Sequence, residues 1–557
     1  MGFLGKLNSL LTLDESNMMQ NKDLVPMPVS RRKWGLWAFI WYWGITSLCA
    51  VTWSAGSSLL SLGLNGNNAM GIVVVANLII TAAAVLNGMY GARYHIGYSV
   101  YQRVVFGIRG SVLGVLMRCI LSVVWFASEA WLGGLCVNVI LSSWSESYLN
   151  WENTLPDSVP MTSQELVGFV LYLILSIPFL VIHPEYIDYL LAVASFAIFF
   201  MGIGMTAWAV HHNDGHYGSL MGAKMDLSSS ELGWAWLYGL SSWYSSLTAG
   251  IANQGDFSRY NKSVKGSAWG ILLGMNLTGF IVPLFGLITA SALYEKDGVY
   301  YWMPNDVCLK WLQDDYSAGS RAAAFFCGLA LVISQFGMNC VGNGISGAMD
   351  LSSLWPKYIN IRRGAIIIMI LSWPTQPWLF YNSDSVFLTV MSSFSIFITP
   401  LIAVFVCDFF LVRRGVIKLS DCYINSKESI YWFNNGFNWR SVISFLVGVA
   451  PGLPGLMNAA NPSIKINAGA THFFQGSFIF QFFISLAVHL ILNMLFKVEV
   501  GEQDAVDYFG TYKPLECVRY KVIPHSSLEK PEDVIGMEME KTPSGKEVMS
   551  VVSSKNQ

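Results

Sequence analysis

Residues 119–143 read CILSVVWFASEAWLGGLCVNVILSS, an apolar stretch whose single charged residue is Glu129, near its middle. A carboxylate at membrane depth costs roughly 2.5 kcal/mol or more, so it normally faces a cavity, a partner or a transported substrate. Trp125 stands one helical turn earlier, on the same face. An acid beside an aromatic plane inside a membrane span points to a binding site for something flat, with a cation as the natural candidate.

The rest of the chain supports the membrane reading. Its 557 residues have a mean hydropathy of +0.47, with 54% hydrophobic and 12% charged residues. Soluble domains carry about twice that charge, and a large soluble core would not give repeated uncharged runs of about 20 residues. An all-α polytopic membrane protein is predicted. Residues 1–33 are mostly polar, and Leu36 opens a span too long for a signal-peptide core, so no cleavable leader is expected. The nine cysteines fall mostly inside spans, without the spacing of a metal or disulfide framework. No nucleic-acid signature is present.

Apolar runs near 36–62, 69–90, 119–143, 166–183, 186–211, 233–252, 267–294, 322–345, 365–381, 385–412, 441–457 and 472–496 predict twelve transmembrane helices. Spans 6 and 8 are rich in small and polar residues, as discontinuous helices lining a substrate site are. Arg93, Arg103, Arg109 and Arg118 fall in one set of loops, with Arg259, Lys262, Lys265, Arg362, Arg363, Arg413 and Arg414. The other set holds only Lys224, Lys296, Lys310, Arg321 and Lys465. That bias predicts both termini in the cytoplasm. Arg118 then marks the inner mouth of span 3, and Glu129 lies roughly 16 Å deeper at 1.5 Å per residue. The chain divides into an amino-terminal tail, 1–34, a transmembrane domain, 35–497, and a largely disordered carboxy-terminal tail, 498–557. Lysines in the stretch 529–555 are candidate ubiquitin acceptors, which would make ubiquitin-ligase machinery a partner; a plain solvated tail is the alternative.

Other polar positions narrow the site. Trp53 and Ser54 lie mid-span in span 1, where tryptophan packs in protein or stacks on a ligand. Ser241-Ser242-Trp243-Tyr244-Ser245-Ser246 in span 6 suits a locally unwound backbone. Asn339 and Asn343 share a face of span 8, as structural glue or as ligands. His489, the group Asp408–Arg413–Arg414 and the turn holding His183, Glu185 and Asp188 read as packing or ion-paired residues. No phosphate loop, His-Glu-x-x-His motif or nucleotide-binding domain is visible, so neither an enzyme nor an ATP-driven pump is expected. No symmetric filter suggests a channel. A secondary transporter in the lipid bilayer remains, with a receptor or membrane enzyme as competitor.

Several motifs carry a resemblance: NKDLVP at 21–26, QRVVFG at 102–107, NQGDFSRY at 253–260, Met349-Asp350-Leu351 running to IRRG at 361–364, and APGLPG at 450–455. In this order the chain resembles fungal nucleobase–cation symporter-1 permeases. The resemblance implies a leucine-transporter-like core of two inverted five-helix repeats, about 36–211 and 233–412, with helices 11 and 12 at about 441–496. It implies alternating access around a midplane site of spans 1, 3, 6 and 8. Family substrate positions fall on Trp125, Glu129, Asn343 and Ser54, with the region of Trp243 and Tyr244 less firmly aligned; Trp53 and Asn339 complete the candidates.

Departures from the family pattern separate the substrates. Uracil- and allantoin-type members usually carry Gln at the positions of Glu129 and Ser54, and Gln suits a neutral amide ring. The wording around residues 133–138 and 316–329 looks closer to the thiamine and nicotinamide riboside branch, whose substrates bear a cationic ring. An ionised Glu129 would attract such a ring and Trp125 would stack on it. Glu129 is alternatively the proton-coupling site or a structural acid. Uptake of uracil, uridine or allantoin is the competing function, and a non-transporting nutrient sensor the competing class. Plasma membrane is the expected location. No cofactor or metal is expected. Sodium-coupled relatives use span-8 hydroxyls where this chain has Gly337-Met338, so a proton gradient is the expected drive. External acidity should then raise uptake while sodium replacement leaves it unchanged; a strict sodium requirement in radiolabel uptake would refute proton symport.

Overall fold

The computed structural model describes residues 11–13, 16–156, 158–527, 539–541 and 547–549. Among them, nine helices are long and apolar enough to cross a membrane. A tenth forms if the bent pair Leu36–Ser47 and Ala50–Leu62 is one span. Spans 6 and 9 of the predicted twelve fall short of that test. In span 6 the helix Ser229–Ser246 is long enough but too polar, and it is interrupted at Leu247 before Thr248–Ala252; span 9 has only twelve α-helical residues, Ile361–Ser372. Two short strands, Met539–Lys541 and Glu547–Met549, pair antiparallel near the carboxy terminus.

The break in span 1 was not visible in its apolar pattern. Its two halves meet at 51°, and Cys49 is extended. The freed backbone groups are met locally: the Thr46 hydroxyl donates to the Trp43 carbonyl at 2.8 Å, and Thr52 donates to the Thr46 carbonyl at 3.0 Å. Such replacements let non-helical backbone exist at membrane depth. Span 6 is handled in the same way, with the Thr248 hydroxyl donating to the Ser245 carbonyl. Span 8 is continuous over Ala318–Leu354 but widens to a π-helix over Phe336–Ile345. The expected discontinuity there is a bulge rather than a break. Span 3, Ser111–Trp144, is straight enough to carry Arg118, Trp125 and Glu129 on one continuous helix.

The end of the bundle carrying residues 21–35 is the tail face; the opposite end is the far face. On the tail face Gly91 of span 2 meets Gly255 at the end of span 6 so closely that a Cβ on Gly91 would lie 2.3 Å from the Gly255 carbonyl oxygen. Only glycine allows that crossing. Next to it, residues 499–527 pack on the body instead of forming a free tail. Arg32 makes two 2.8 Å bonds to the Glu516 carboxylate and donates to the carbonyls of Asn261 and Thr511. Most of the stretch 529–555, with the ubiquitin-acceptor expectation, lies outside the described residues.

Burial alone would raise the Glu516 carboxyl, but the Arg32 guanidinium outweighs it and holds it at about 2, against an ordinary 4.5. The pair therefore stabilises the clamp fully above that ordinary value and is lost as pH falls toward 2. Glu516→Gln leaves buried Arg32 half-answered, at a cost of about 1–3 kcal/mol. Limited proteolysis at neutral pH should cut residues 499–527 faster in that variant; unchanged resistance would contradict the clamp.

Candidate substrate-binding site

Two small adjoining cavities lie at the middle of the bundle, where the breaks of spans 1 and 6 face spans 3 and 8. One, of about 10 Å³, is lined by Thr46, Cys49, Thr52, Glu129, Trp243 and Met338, among others. Its neighbour, of about 20 Å³, is lined by Tyr42, Thr46, Trp125, Ser246, Gly342 and Asn343, among others. Each holds roughly one water, so a ring-sized ligand requires the spans to move apart.

Glu129 is fully buried. Its Oε2 accepts from Gln335 Nε2 at 2.7 Å, and the same amide nitrogen donates to the Glu129 carbonyl at 3.0 Å. Its other oxygen, Oε1, has no hydrogen-bond partner, and neither has the Ser334 hydroxyl or Gln335 Oε1 on the facing span. Buried polar atoms are nearly always bonded, and unbonded ones at a cavity mark groups that can take a ligand. Gln335 is not among the substrate-site candidates read from the sequence. Its role as the partner of Glu129 depends on the π-helical turn, which no local pattern announces.

The other sequence-predicted residues divide. Trp125 is buried and stacks on Phe394 at 4.6 Å, with its cavity side toward Asn343. Trp243 lines the cavity of Glu129 and is pinned by a 2.8 Å bond from its indole nitrogen to Asn77. Asn339 donates to the Phe126 carbonyl at 3.0 Å and accepts from Asn343 at 3.1 Å, so it ties span 8 to span 3. Trp53, Ser54 and Tyr244 are buried but line neither cavity. Trp53 packs on Gly286 of span 7, and Tyr244 turns to Phe478 of span 12. The bend at Leu48–Cys49 presents Thr46, Cys49 and Thr52 in place of the Trp53-Ser54 pair.

Both routes from the cavities are closed. About two helical turns toward the tail face, Arg118 bonds to Asp350, lies 3.3 Å from Asp256 and sits over the Tyr98 ring. All three charged groups are buried, and the Arg118 guanidinium also donates to the Ser346 carbonyl. Arg118, read from sequence as a residue at the span mouth, is thus the centre of a buried ion cluster. Toward the far face, the Tyr381 hydroxyl meets Ser128, next to Glu129, at 3.1 Å. Tyr381 packs on Phe387, which packs on Trp302.

Broken helices around a buried acid, shut at both ends by separate contacts, define a secondary transporter working by alternating access. A family model described as permeases for cytosine/purines, uracil, thiamine and allantoin matches residues 26–480. A Saccharomyces cerevisiae thiamine transporter, THI72, is 38% identical over 517 residues, 93% of this chain and 86% of that protein. Nicotinamide riboside transporter 1 of the same yeast is 38% identical over 518 residues, with the same shares covered. The solved structure of Mhp1, a nucleobase-cation-symport-1 family transporter in a closed conformation with bromovinylhydantoin bound, has a TM-score of 0.69 at 18% identity. It covers 91% of this chain and 99% of that one. The chain belongs to this permease family; it is a multi-pass membrane transporter for a small heterocycle and not an enzyme. Its fold is the leucine-transporter-like one expected from the motifs.

Asn339→Ala, which removes an interhelical bond, should lower thermal stability by about 1–3 kcal/mol. Asn343→Ala keeps the bond to Phe126, loses only the donor to Asn339 Oδ1, and should instead raise the KM for uptake about tenfold with a smaller loss of stability. Equal unfolding temperatures for the two variants would contradict this division of roles.

Proposed function

We propose that this chain imports a small heterocycle with a cationic ring, of the thiamine or nicotinamide riboside type, across the plasma membrane. The carrying observation is the fully buried Glu129, one oxygen held by Gln335 and the other free beside a cavity walled by Trp243. A cation at that oxygen would satisfy it, and Trp125 and Trp243 offer faces for the ring. The names of the two yeast relatives agree with a cationic ring. The lysines and arginines of the tail face support a cytoplasmic location for it.

The drive proposed is a proton gradient. At the span-8 position where sodium-coupled relatives carry hydroxyls, Gly337 packs against Ala194 and Ile45, and neither it nor Met338 offers a side-chain oxygen. Charge pairing and proton carriage exclude each other on one carboxylate. If Glu129 took a proton whenever the cation left, import would exchange the cation for a proton; a symported proton therefore sits on another group.

Radiolabelled uptake in a permease-deficient fungal host, with thiamine, nicotinamide riboside, uracil, uridine and allantoin compared, tests the reading. Uptake of a cationic substrate, reduced at least about tenfold by Glu129→Gln, is expected. Selective uptake of uracil or uridine would refute charge pairing. No uptake at all, with surface expression verified, would favour a sensor.

A further inference from the structure

Beyond the central site, the far face holds a larger cavity of about 270 Å³ between the outer ends of spans 3 and 4, the helix Pro304–Asp314 and residues 378–382. Its walls include Glu165, Asp306, Trp131, Trp378 and Tyr381, and among the described residues no lysine, arginine or histidine lines it. Glu165 Oε2 accepts from the Thr162 amide, and Asp306 Oδ1 accepts from Asn305 Nδ2 at 2.8 Å. The remaining oxygen of each carboxylate accepts no hydrogen bond among the described residues. Asn305 is 2% exposed, and its own side-chain oxygen in the cavity wall is also without a partner.

We infer that this cavity is a second binding station, occupied by a flat organic cation before it reaches Glu129; the inference rests on the reading of the substrate as cationic and of the far face as external. The size is right for one bicyclic or nucleoside-sized molecule, whereas the closed central cavities hold about a water each. Glu165, and Asp306 once it is ionised above neutral pH, have no basic neighbour in the described wall and focus a negative potential into the cavity, which raises the local concentration of cations. Burial, and then the Glu165 carboxylate, push the Asp306 acid up to about 7. A fixed guanidinium or ammonium partner would have lowered it, so the charge balance here is left for a mobile cation to complete. Tyr381 connects the two stations. It lines this cavity while its hydroxyl meets Ser128, one residue from Glu129. Swinging Tyr381 aside opens the floor of the outer station onto the central one.

The test uses the full chain in whole cells, with Gln313→Cys as a reporter; Gln313 is exposed and lines this cavity. A membrane-impermeant methanethiosulfonate labels the new thiol, with the chain lacking the substitution as blank. The probe is 1-methylnicotinamide, a permanent pyridinium cation, and neutral nicotinamide is its control. The cation should slow labelling about fivefold or more, and the neutral amide should not. Protection should persist when Glu129→Gln is added and disappear with Asp306→Asn; Glu165→Gln, which keeps the helix-capping pattern, serves if Asp306→Asn fails to reach the surface. Absence of protection, equal protection by nicotinamide, or protection abolished by Glu129→Gln and kept by Asp306→Asn would overturn the outer station. Uptake of thiamine and nicotinamide riboside is read in parallel: protection without uptake supports the station and counts against the substrate reading alone.

Discussion

A carboxylate held away from water in a bilayer has to be answered by a proton, a cation or enough hydrogen bonds. Glu129 receives bonds from one amide, Gln335, and keeps Oε1 unanswered. Much of the surrounding construction serves that arrangement. Span 3 runs unbroken to hold the acid at depth, span 8 widens by a π-turn to bring Gln335 to it, and spans 1 and 6 break at the same level. The breaks are tolerable because Thr46, Thr52 and Thr248 bond the loosened backbone. The oxygen left unanswered is the one that the proposed pairing with a cationic ring would use.

The two closures differ in their physics. On the tail face, Arg118 with Asp350 and Asp256 forms a dry ion cluster, and removing one partner of such a cluster leaves a buried charge at a cost of about 3–5 kcal/mol. On the far face the closure is the aromatic contact of Tyr381, Phe387 and Trp302, with one hydroxyl pair to Ser128. Aromatic contacts of this kind are worth about 0.5–1.5 kcal/mol beyond their burial. The inner closure is thus ionic and the outer one aromatic, so the two ends respond to different substitutions.

The membrane class, the span order and the acid in span 3 were all legible, because long uncharged runs and a lone buried charge leave few other readings. The small and polar residues of span 6 correctly announced an interruption, which falls at Leu247. The break in span 1 was hidden, since Thr46, Ser47 and Thr52 around Leu48-Cys49 read equally as packing residues and only tertiary contacts distinguish it. Hence Trp53-Ser54 looked like ligands, while the bend turns Trp53 to span 7 and exposes Thr46, Cys49 and Thr52 instead. Tyr244 faces Phe478 for a related reason: its direction depends on where span 6 breaks. The long-range ties of Arg118 to Asp350 and of Arg32 to Glu516 join residues hundreds of positions apart, and no local pattern encodes such pairs.

The most direct measurement is equilibrium binding of a matched charged and neutral pair to the purified protein: nicotinamide riboside and its uncharged dihydropyridine form, by calorimetry. Wild type should prefer the cation by about tenfold or more, and Glu129→Gln should lose that preference while still binding both. An unchanged preference in Glu129→Gln would contradict Glu129 as the charge partner, as would a wild type that binds the two forms equally.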